Sequence, residues 1–176
     1  CTNPPFPICL TNTQLANEIS RVGLAQGWTR NATTLFFIFT PRNVGSCFDS
    51  SGSTCAFTAY CAYHGTTNSG AIYANQPYTG STAGCDEGEY PNGSSNQADP
   101  TINVTSHEHN EAITDPQLNA WYDQRGMENA DKCAWTFGSV YKTKNGASAN
   151  MLLGGRDYMI QRNWVNASGG YCAIAY

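Results

Sequence analysis

Charged side chains are scarce in this chain. Asp, Glu, Lys and Arg make up only 12% of its 176 residues, and the formal net charge is −4. Without a basic patch the sequence has no electrostatic footprint for nucleic acid, so we exclude nucleic acid as a partner. The longest apolar run, Leu35–Phe39, is far shorter than the roughly 20 residues of a membrane-spanning helix, so we also expect no membrane-embedded part.

Repeats, linkers and zinc-finger cysteine spacing are missing too. Because nothing divides the sequence, residues 1–176 are predicted to form one domain that is large enough to bury a core. The first residue is Cys1, and neither a basic stretch nor an apolar targeting segment follows it. We therefore expect a mature form from which a signal peptide has been removed.

Cysteine, in contrast, is plentiful. The chain has eight cysteines, an even number, and this is typical of secreted proteins with disulfide bonds, so we expect an extracellular location. Sequence alone does not determine how they pair. Local spacing favours Cys1–Cys9 and Cys47–Cys55 as small loops, which leaves Cys61–Cys85 and Cys133–Cys172.

A helix is predicted between Asp99 and Asp115. Asp99 is a favourable N-cap, and Pro100 suits the first helical position because its missing N–H needs no partner there. Pro116 ends the helix, since the residue before a proline disfavours helical backbone angles. A strand here would instead put His107 and His109 on one face, but the Asp-Pro start favours the helix.

The helical period of about 100° per residue gives this helix two different faces. The face that we expect to pack on the core consists of Ile102, Thr105, His109, Ala112 and Ile113. The face that we expect to line a cleft consists of Val104, His107, Glu108, Glu111 and Asp115. On this basis His109 is predicted to be a buried structural histidine.

The motif His107-Glu-His-Asn-Glu111 on the polar face predicts a metal centre. His107 and Glu111 are four residues apart, so their side chains are neighbours and can bind one ion. Glu108 lies to one side of them, where it can take a proton from water as a general base.

A catalytic zinc ion needs a third protein ligand as well as an open position. The downstream acidic segment offers Glu128 and Asp131. We assign Glu128 as the ligand and Asp131 as the acceptor that orients the imidazole of His107, with the reverse assignment as the alternative. These ligand types predict one zinc ion per chain, and manganese or another divalent first-row ion is the alternative.

The remaining pattern predicts an α+β fold with a mixed, mostly antiparallel sheet. Residues 12–26 read as an amphipathic helix that ends at Gly27. Residues 147–153 and 158–163 are predicted to form a hairpin across the Gly154-Gly155 pair.

Three strands are expected before the metal-binding helix. Residues 34–40 are nearly all apolar and are placed at the centre of the sheet, with further strands at 57–63 and 71–78. The last is placed at an edge, where Pro77 is tolerated and where an extended peptide can pair with the sheet.

Five segments of the chain form a recognisable set. They are Tyr60-Cys-Ala-Tyr-His64, Ser106-His-Glu-His-Asn-Glu-Ala-Ile-Thr-Asp-Pro116, Asn119-Ala-Trp-Tyr122, Glu128-Asn-Ala-Asp-Lys-Cys133 and Gly155-Arg-Asp-Tyr158. Together they resemble the phosphate-induced, EXORDIUM-like extracellular proteins and a group of similar secreted microbial proteins. The likeness spans about residues 34–172. It implies secretion and a zincin-like, disulfide-stapled core with metallopeptidase activity.

We therefore predict a secreted zinc-dependent endopeptidase, a monomer that acts on protein or peptide substrates with Glu108 as general base. His64, which belongs to the shared pattern, and Tyr122 are candidate donors to the oxyanion of a tetrahedral intermediate. One alternative is a non-catalytic extracellular module that keeps a structural metal or binds cell-wall glycan. Another is a glycan-directed hydrolase that pairs Glu108 with Asp115 or Glu111.

Overall fold

The structure is a computed structural model that describes residues 1, 6–93 and 97–175. It contains helices and short strands, which confirms the α+β class. In chain order the elements are β1 (Ile8–Thr11), α1 (Asn12–Ala25), β2 (Leu35–Phe39), β3 (Val44–Cys47), β4 (Tyr63–Thr66), β5 (Ile72–Gln76), α2 (Asp99–Thr114), β6 (Tyr141–Lys142), β7 (Ser148–Ala149), β8 (Met151–Leu153), β9 (Arg156–Tyr158), β10 (Asn163–Val165) and β11 (Tyr171–Ala173). Within the described residues, no helix is long and apolar enough to cross a membrane.

The three-stranded sheet beside the site has the order β2-β5-β4. Strand β5 is parallel to β2 and antiparallel to β4, and all of its residues are buried. The predicted order was therefore wrong on two points, because the 71–78 segment supplies the central strand and the 34–40 segment supplies an edge. Asn75 and Gln76 of β5 each make one side-chain hydrogen bond inside: Asn75 donates to Ser46 Oγ at 2.7 Å, and Gln76 Oε1 accepts from Thr105 Oγ1 at 3.2 Å. Their other polar atoms, Asn75 Oδ1 and Gln76 Nε2, have no partner among the described residues.

The third strand of this sheet also differs from the prediction. Residues 57–60 form a tight turn in which the Phe57 N–H donates to the Tyr60 carbonyl at 2.7 Å, and the strand begins only at Tyr63. Phe57 has a positive φ of 67°, which is incompatible with a continuous strand. Strand β4, which has His64 as its second residue, is an edge strand of this sheet and lies next to α2.

Helix α1 confirms the prediction for residues 12–26 to within one residue. Its start is stabilised by a capping box, in which the Thr11 side chain accepts from the Gln14 N–H at 3.2 Å while Gln14 accepts from the Thr11 N–H. Its apolar face buries Leu15 and Ile19 against Tyr73 of β5. This cluster is a main part of the hydrophobic core.

The other strands pair in separate two-stranded ladders. β1 and β3 are parallel, and the later pairs are the antiparallel hairpins β6-β7, β8-β9 and β10-β11. The hairpin predicted across Gly154-Gly155 is present in a shorter form. All four predicted disulfide pairings are also present, linking Cys1 to Cys9, Cys47 to Cys55, Cys61 to Cys85 and Cys133 to Cys172.

Helix α2 occupies the predicted range, and Val104, His107, Glu108 and Glu111 of the predicted cleft face do line a cavity. Of the face that we expected to pack on the core, however, only Ala112 is buried. Asp99 is its first helical residue rather than the N-cap, which is Ala98. Ile113 is 62% exposed and His109 is exposed too, with its ring 6.0 Å from that of Phe37. The buried residues are instead on the face of Glu108 and Glu111, which packs towards β4 and β5. The prediction of a buried His109 was therefore wrong.

Candidate metal centre

A cavity of about 480 Å³ lies beside α2 and β4. Its polar lining consists of His64, His107, Glu108, Glu111, Glu128 and Asp131, and its apolar lining includes Phe48, Tyr60, Tyr63, Leu118 and Trp135. The fold thus brings together every predicted site residue except Tyr122. That side chain is 54% exposed and is not part of the cavity lining, so the structure gives it no role as an oxyanion donor.

His107, Glu111 and Asp131 form the first group of potential ligands. His107 Nε2 lies 3.1 Å from Glu111 Oε1 and 3.3 Å from Asp131 Oδ1, and donor atoms of all three residues lie within 4.8 Å of one another. The first contact follows from the four-residue spacing on a helix. The second places Asp131, rather than our first choice Glu128, beside the predicted pair. The geometry therefore favours Asp131 as the ligand, as in the alternative assignment, but it places Glu128 Oε1 3.6 Å from His64 Nε2 rather than beside His107.

Backbone hydrogen bonds hold Asp131, the third potential ligand, in place. The Asp131 N–H donates to Glu111 Oε1 at 3.0 Å, and the Glu128 N–H donates to Asp131 Oδ2 at 3.1 Å. Asp131 begins a single 3₁₀ turn that ends at Cys133, which is disulfide-bonded to Cys172. The acidic segment is thus attached to α2 on one side and to the C-terminal hairpin on the other.

His64 forms a second group with Glu108 and Glu111. Its Nδ1 lies 3.4 Å from Glu108 Oε2 and 4.0 Å from Glu111 Oε2, and the three side chains are 2%, 6% and 4% exposed. On the other side of the ring, Nε2 lies 3.0 Å from the carbonyl oxygen of Asp115 and 3.6 Å from Glu128 Oε1. Because both ring nitrogens are engaged, His64 is not free to act as the predicted oxyanion donor.

Sequence reasoning missed His64 as a potential ligand. It lies on a different element from the motif, 43 residues before His107. Two signals pointed to it, which are the rarity of histidine in the chain and the place of His64 in the shared Tyr60–His64 segment, but neither indicated a ligand role.

Burial and mutual repulsion shift the pKa values of the carboxyl groups. Burial raises the pKa of Glu108. Burial and the neighbouring Glu111 raise the pKa of Glu128 to about 8. Asp131 behaves differently, because its hydrogen bond with His107 lowers its pKa.

The two imidazoles respond in the opposite direction. Burial alone would lower the pKa of His64, but the hydrogen bonds with Glu108 and the Asp115 carbonyl outweigh it and raise the pKa to about 9. For His107 the contacts with Asp131 and Glu111 likewise outweigh burial and raise the pKa well above its usual range. The raised pKa values of both imidazoles reflect the carboxylates around them, a surrounding that favours a cation.

Asp115 holds the backbone that follows α2 in place. Its side chain is 1% exposed, and Oδ1 accepts from the N–H groups of Asn119 and Ala120 at 2.6 Å each. It is not part of the cavity lining. The geometry therefore gives no support to a catalytic carboxylate pair of Glu108 and Asp115.

Comparisons with known proteins add no relative. No protein-family model, no curated protein and no solved structure matches this chain.

Proposed function

We propose that this protein is a secreted, zinc-dependent hydrolase, and most concretely an endopeptidase. The observation that carries the proposal is the convergence of donor atoms from His107, Glu111 and Asp131 on the wall of an open cavity, with Glu108 beside them. The resemblance to EXORDIUM-like proteins with a zincin-like core supports it. The four disulfides fit an oxidising, extracellular compartment.

The residues of this site fit a divalent first-row ion. Imidazole nitrogen and carboxylate oxygen are the donor types that zinc accepts, and His107, Glu111 and Asp131 supply the three protein ligands of a catalytic site. In addition, Glu128 Oε1 is buried and has no hydrogen-bond partner among the described residues, as expected where a cation is part of the site. A bound zinc ion supplies Lewis acidity that polarises a carbonyl group and acidifies water.

Glu108 is the candidate general base. It follows His107 directly, lines the cavity, and has a pKa raised by burial, which suits a carboxylate that must accept a proton near neutral pH. In the proposed reaction Glu108 takes a proton from the attacking water and returns it to the leaving amine. His64, 3.4 Å away, holds the carboxylate in its orientation.

The cavity also favours one class of substrate. Tyr60, Tyr63, Leu118 and Trp135 line it, so peptides with large apolar side chains have surface to bury there. The edge strand β4, rather than the central β5, is positioned to pair with an extended peptide. We therefore propose endopeptidase activity with a preference for apolar residues near the cleaved bond.

The test combines elemental analysis with hydrolysis of casein and of an internally quenched peptide library. We expect zinc in the purified protein, loss of hydrolysis after chelation, and recovery after zinc is restored. Bound zinc without any hydrolysis would instead support the non-catalytic extracellular module. Hydrolysis that is insensitive to chelators would contradict a metal-dependent mechanism.

A further inference from the structure

We infer that the cavity contains a second cation site, formed by His64, Glu108 and Glu111, which shares Glu111 with the first site. We further infer that an ion in this second site inhibits the enzyme. The first inference stands on geometry alone, and the second rests on the proposed function.

The tautomer of His64 is the first argument. Its Nε2 lies 3.0 Å from the Asp115 carbonyl, which only accepts, so Nε2 carries the hydrogen. In the neutral ring Nδ1 then presents a lone pair to Glu108 Oε2 at 3.4 Å and to Glu111 Oε2 at 4.0 Å. This nitrogen and the two carboxylates therefore hold a cation between them, which is a proton on Nδ1 in the metal-free protein and a metal ion when one displaces that proton. A ring N–H on a backbone carbonyl is also the usual outer support of a metal-binding histidine.

The orientation of the two Glu111 oxygens also supports a second cation site. Oε1 lies 3.1 Å from His107 Nε2, whereas Oε2 faces His64 Nδ1. Each oxygen therefore belongs to a different ligand group, and each group has its donor atoms within 4.8 Å. A carboxylate in this orientation can bridge two ions, which in two-metal sites lie about 3.5–4 Å apart.

Charge is the third argument. The cavity wall has four carboxylates and two histidines. The four carboxylates are Glu108, Glu111, Glu128 and Asp131. When metal ions displace the protons of these groups, the four carboxylates and two neutral imidazoles balance the charge of two divalent ions.

The functional consequence follows from the identity of the shared ligands. Glu108 is both a ligand of the second site and the proposed general base. A carboxylate that coordinates an ion cannot accept a proton from water at the same time. Filling the second site should therefore lower hydrolysis about 100-fold, the lower range of what a general base contributes.

The experiment is zinc titration of the metal-free protein with ion binding and peptide hydrolysis followed together. For the wild type we expect two ions per chain, with activity rising as the first binds and falling as the second binds. His64→Asn should bind one ion, and excess zinc should no longer lower its activity. His109→Asn, a change of the same kind at the exposed face of α2, is the matched control and should behave like the wild type.

A second measurement keeps the inference testable if His64→Asn does not fold. Wild-type protein loaded with Mn²⁺ should give the spectrum of two magnetically coupled ions in electron paramagnetic resonance. One bound ion that restores hydrolysis would overturn the second site and leave the proposed function intact. Two uncoupled ions, or two ions in a folded His64→Asn variant, would also overturn it. Failure to bind any ion would overturn both proposals.

Discussion

The backbone N–H of Asp131 donates to Oε1 of Glu111 at 3.0 Å. The same oxygen lies 3.1 Å from His107 Nε2, so this carboxylate contacts both helix α2 and the turn that begins at Asp131. This bond is formed by the main chain, and it orients Glu111 whatever occupies the site. The three potential ligands are therefore pre-organised, which favours ion binding because few side-chain conformations have to be fixed when an ion binds.

The first prediction concerns the general base. Glu108→Gln keeps His107, Glu111 and Asp131, so it should retain the first zinc ion but lose hydrolysis by about 100-fold or more. Zinc content and peptide turnover measured on the same preparation check this. Glu18→Gln, which changes an exposed residue of α1, is the control and should leave both unchanged. Full turnover by Glu108→Gln would remove Glu108 from the mechanism.

The second prediction separates the two candidates for the third ligand. Asp131→Asn should weaken binding of the first zinc ion by about 100-fold or more, beyond the usual effect of an outer-shell change. Glu128→Gln should weaken it far less, because the Glu128 carboxylate lies on the His64 side of the cavity. Competition with a chromogenic chelator measures both affinities. The opposite order would show that Glu128 is the ligand.

The third prediction concerns the disulfide that follows Asp131. Replacing both Cys133 and Cys172 by Ser should lower the free energy of unfolding by about 2–5 kcal/mol. It should also weaken zinc binding, because the 3₁₀ turn with Asp131 loses its covalent attachment. Denaturant unfolding and zinc competition measure the two effects.

The matched control for that variant replaces Cys1 and Cys9 by Ser. This pair closes a loop at the start of the chain, away from the cavity lining. The control should therefore change stability without changing zinc affinity. Equal losses of affinity in both double variants would argue against a local role for the Cys133–Cys172 bond.

The fourth prediction concerns pH. Burial raises the pKa of Glu87 from its usual 4.5 to about 7, although Asn103 donates to its Oε2 at 3.2 Å. Folding thus favours the protonated form, so this residue's contribution to stability is fully present below about pH 4.5 and is lost as pH rises through 7. Glu87→Gln should therefore raise the free energy of unfolding by about 1–3 kcal/mol at pH 8 relative to the wild type, and much less at pH 4.5.

Denaturant unfolding at both pH values measures this effect, and Glu89→Gln is the comparison. Glu89 has a lowered pKa because hydrogen bonding from Ser148 outweighs a burial effect of the opposite sign. Its contribution is present above pH 4.5 and lost as pH falls through the lowered pKa, so its substitution should destabilise the protein at pH 8. A Glu87→Gln variant with the wild-type pH profile would contradict the assigned burial effect.

The sequence pattern predicted the bounds of the helices correctly, because those bounds depend on neighbouring residues. The bounds of α1 and α2 follow from capping residues, prolines and the helical period, and the structure confirms both ranges. The period does not tell which face of a helix is buried. Apolarity favoured the face with Ile113 and His109, yet the structure buries the carboxylates of Glu108 and Glu111, which are stabilised by the two histidines.

The order of the strands in the sheet could likewise not be predicted from local patterns. The 71–78 segment contains Asn75, Gln76 and Pro77, a composition typical of an edge, but β5 lies at the centre, where Asn75 and Gln76 each make one side-chain hydrogen bond. Pairing partners of a strand come from other parts of the chain. Alternation of residue types cannot specify them.

The contact between His107 and Glu111 could be predicted from their spacing, because the rise and turn of a helix place residues four apart side by side wherever the helix lies. The contact of His64 on β4 with Glu108, and the contact of Asp131 rather than Glu128 with His107, arise only when the chain folds. Those contacts depend on how separate elements pack. Their distances are set by long-range hydrogen bonds and burial, which the spacing of residues along the chain does not encode.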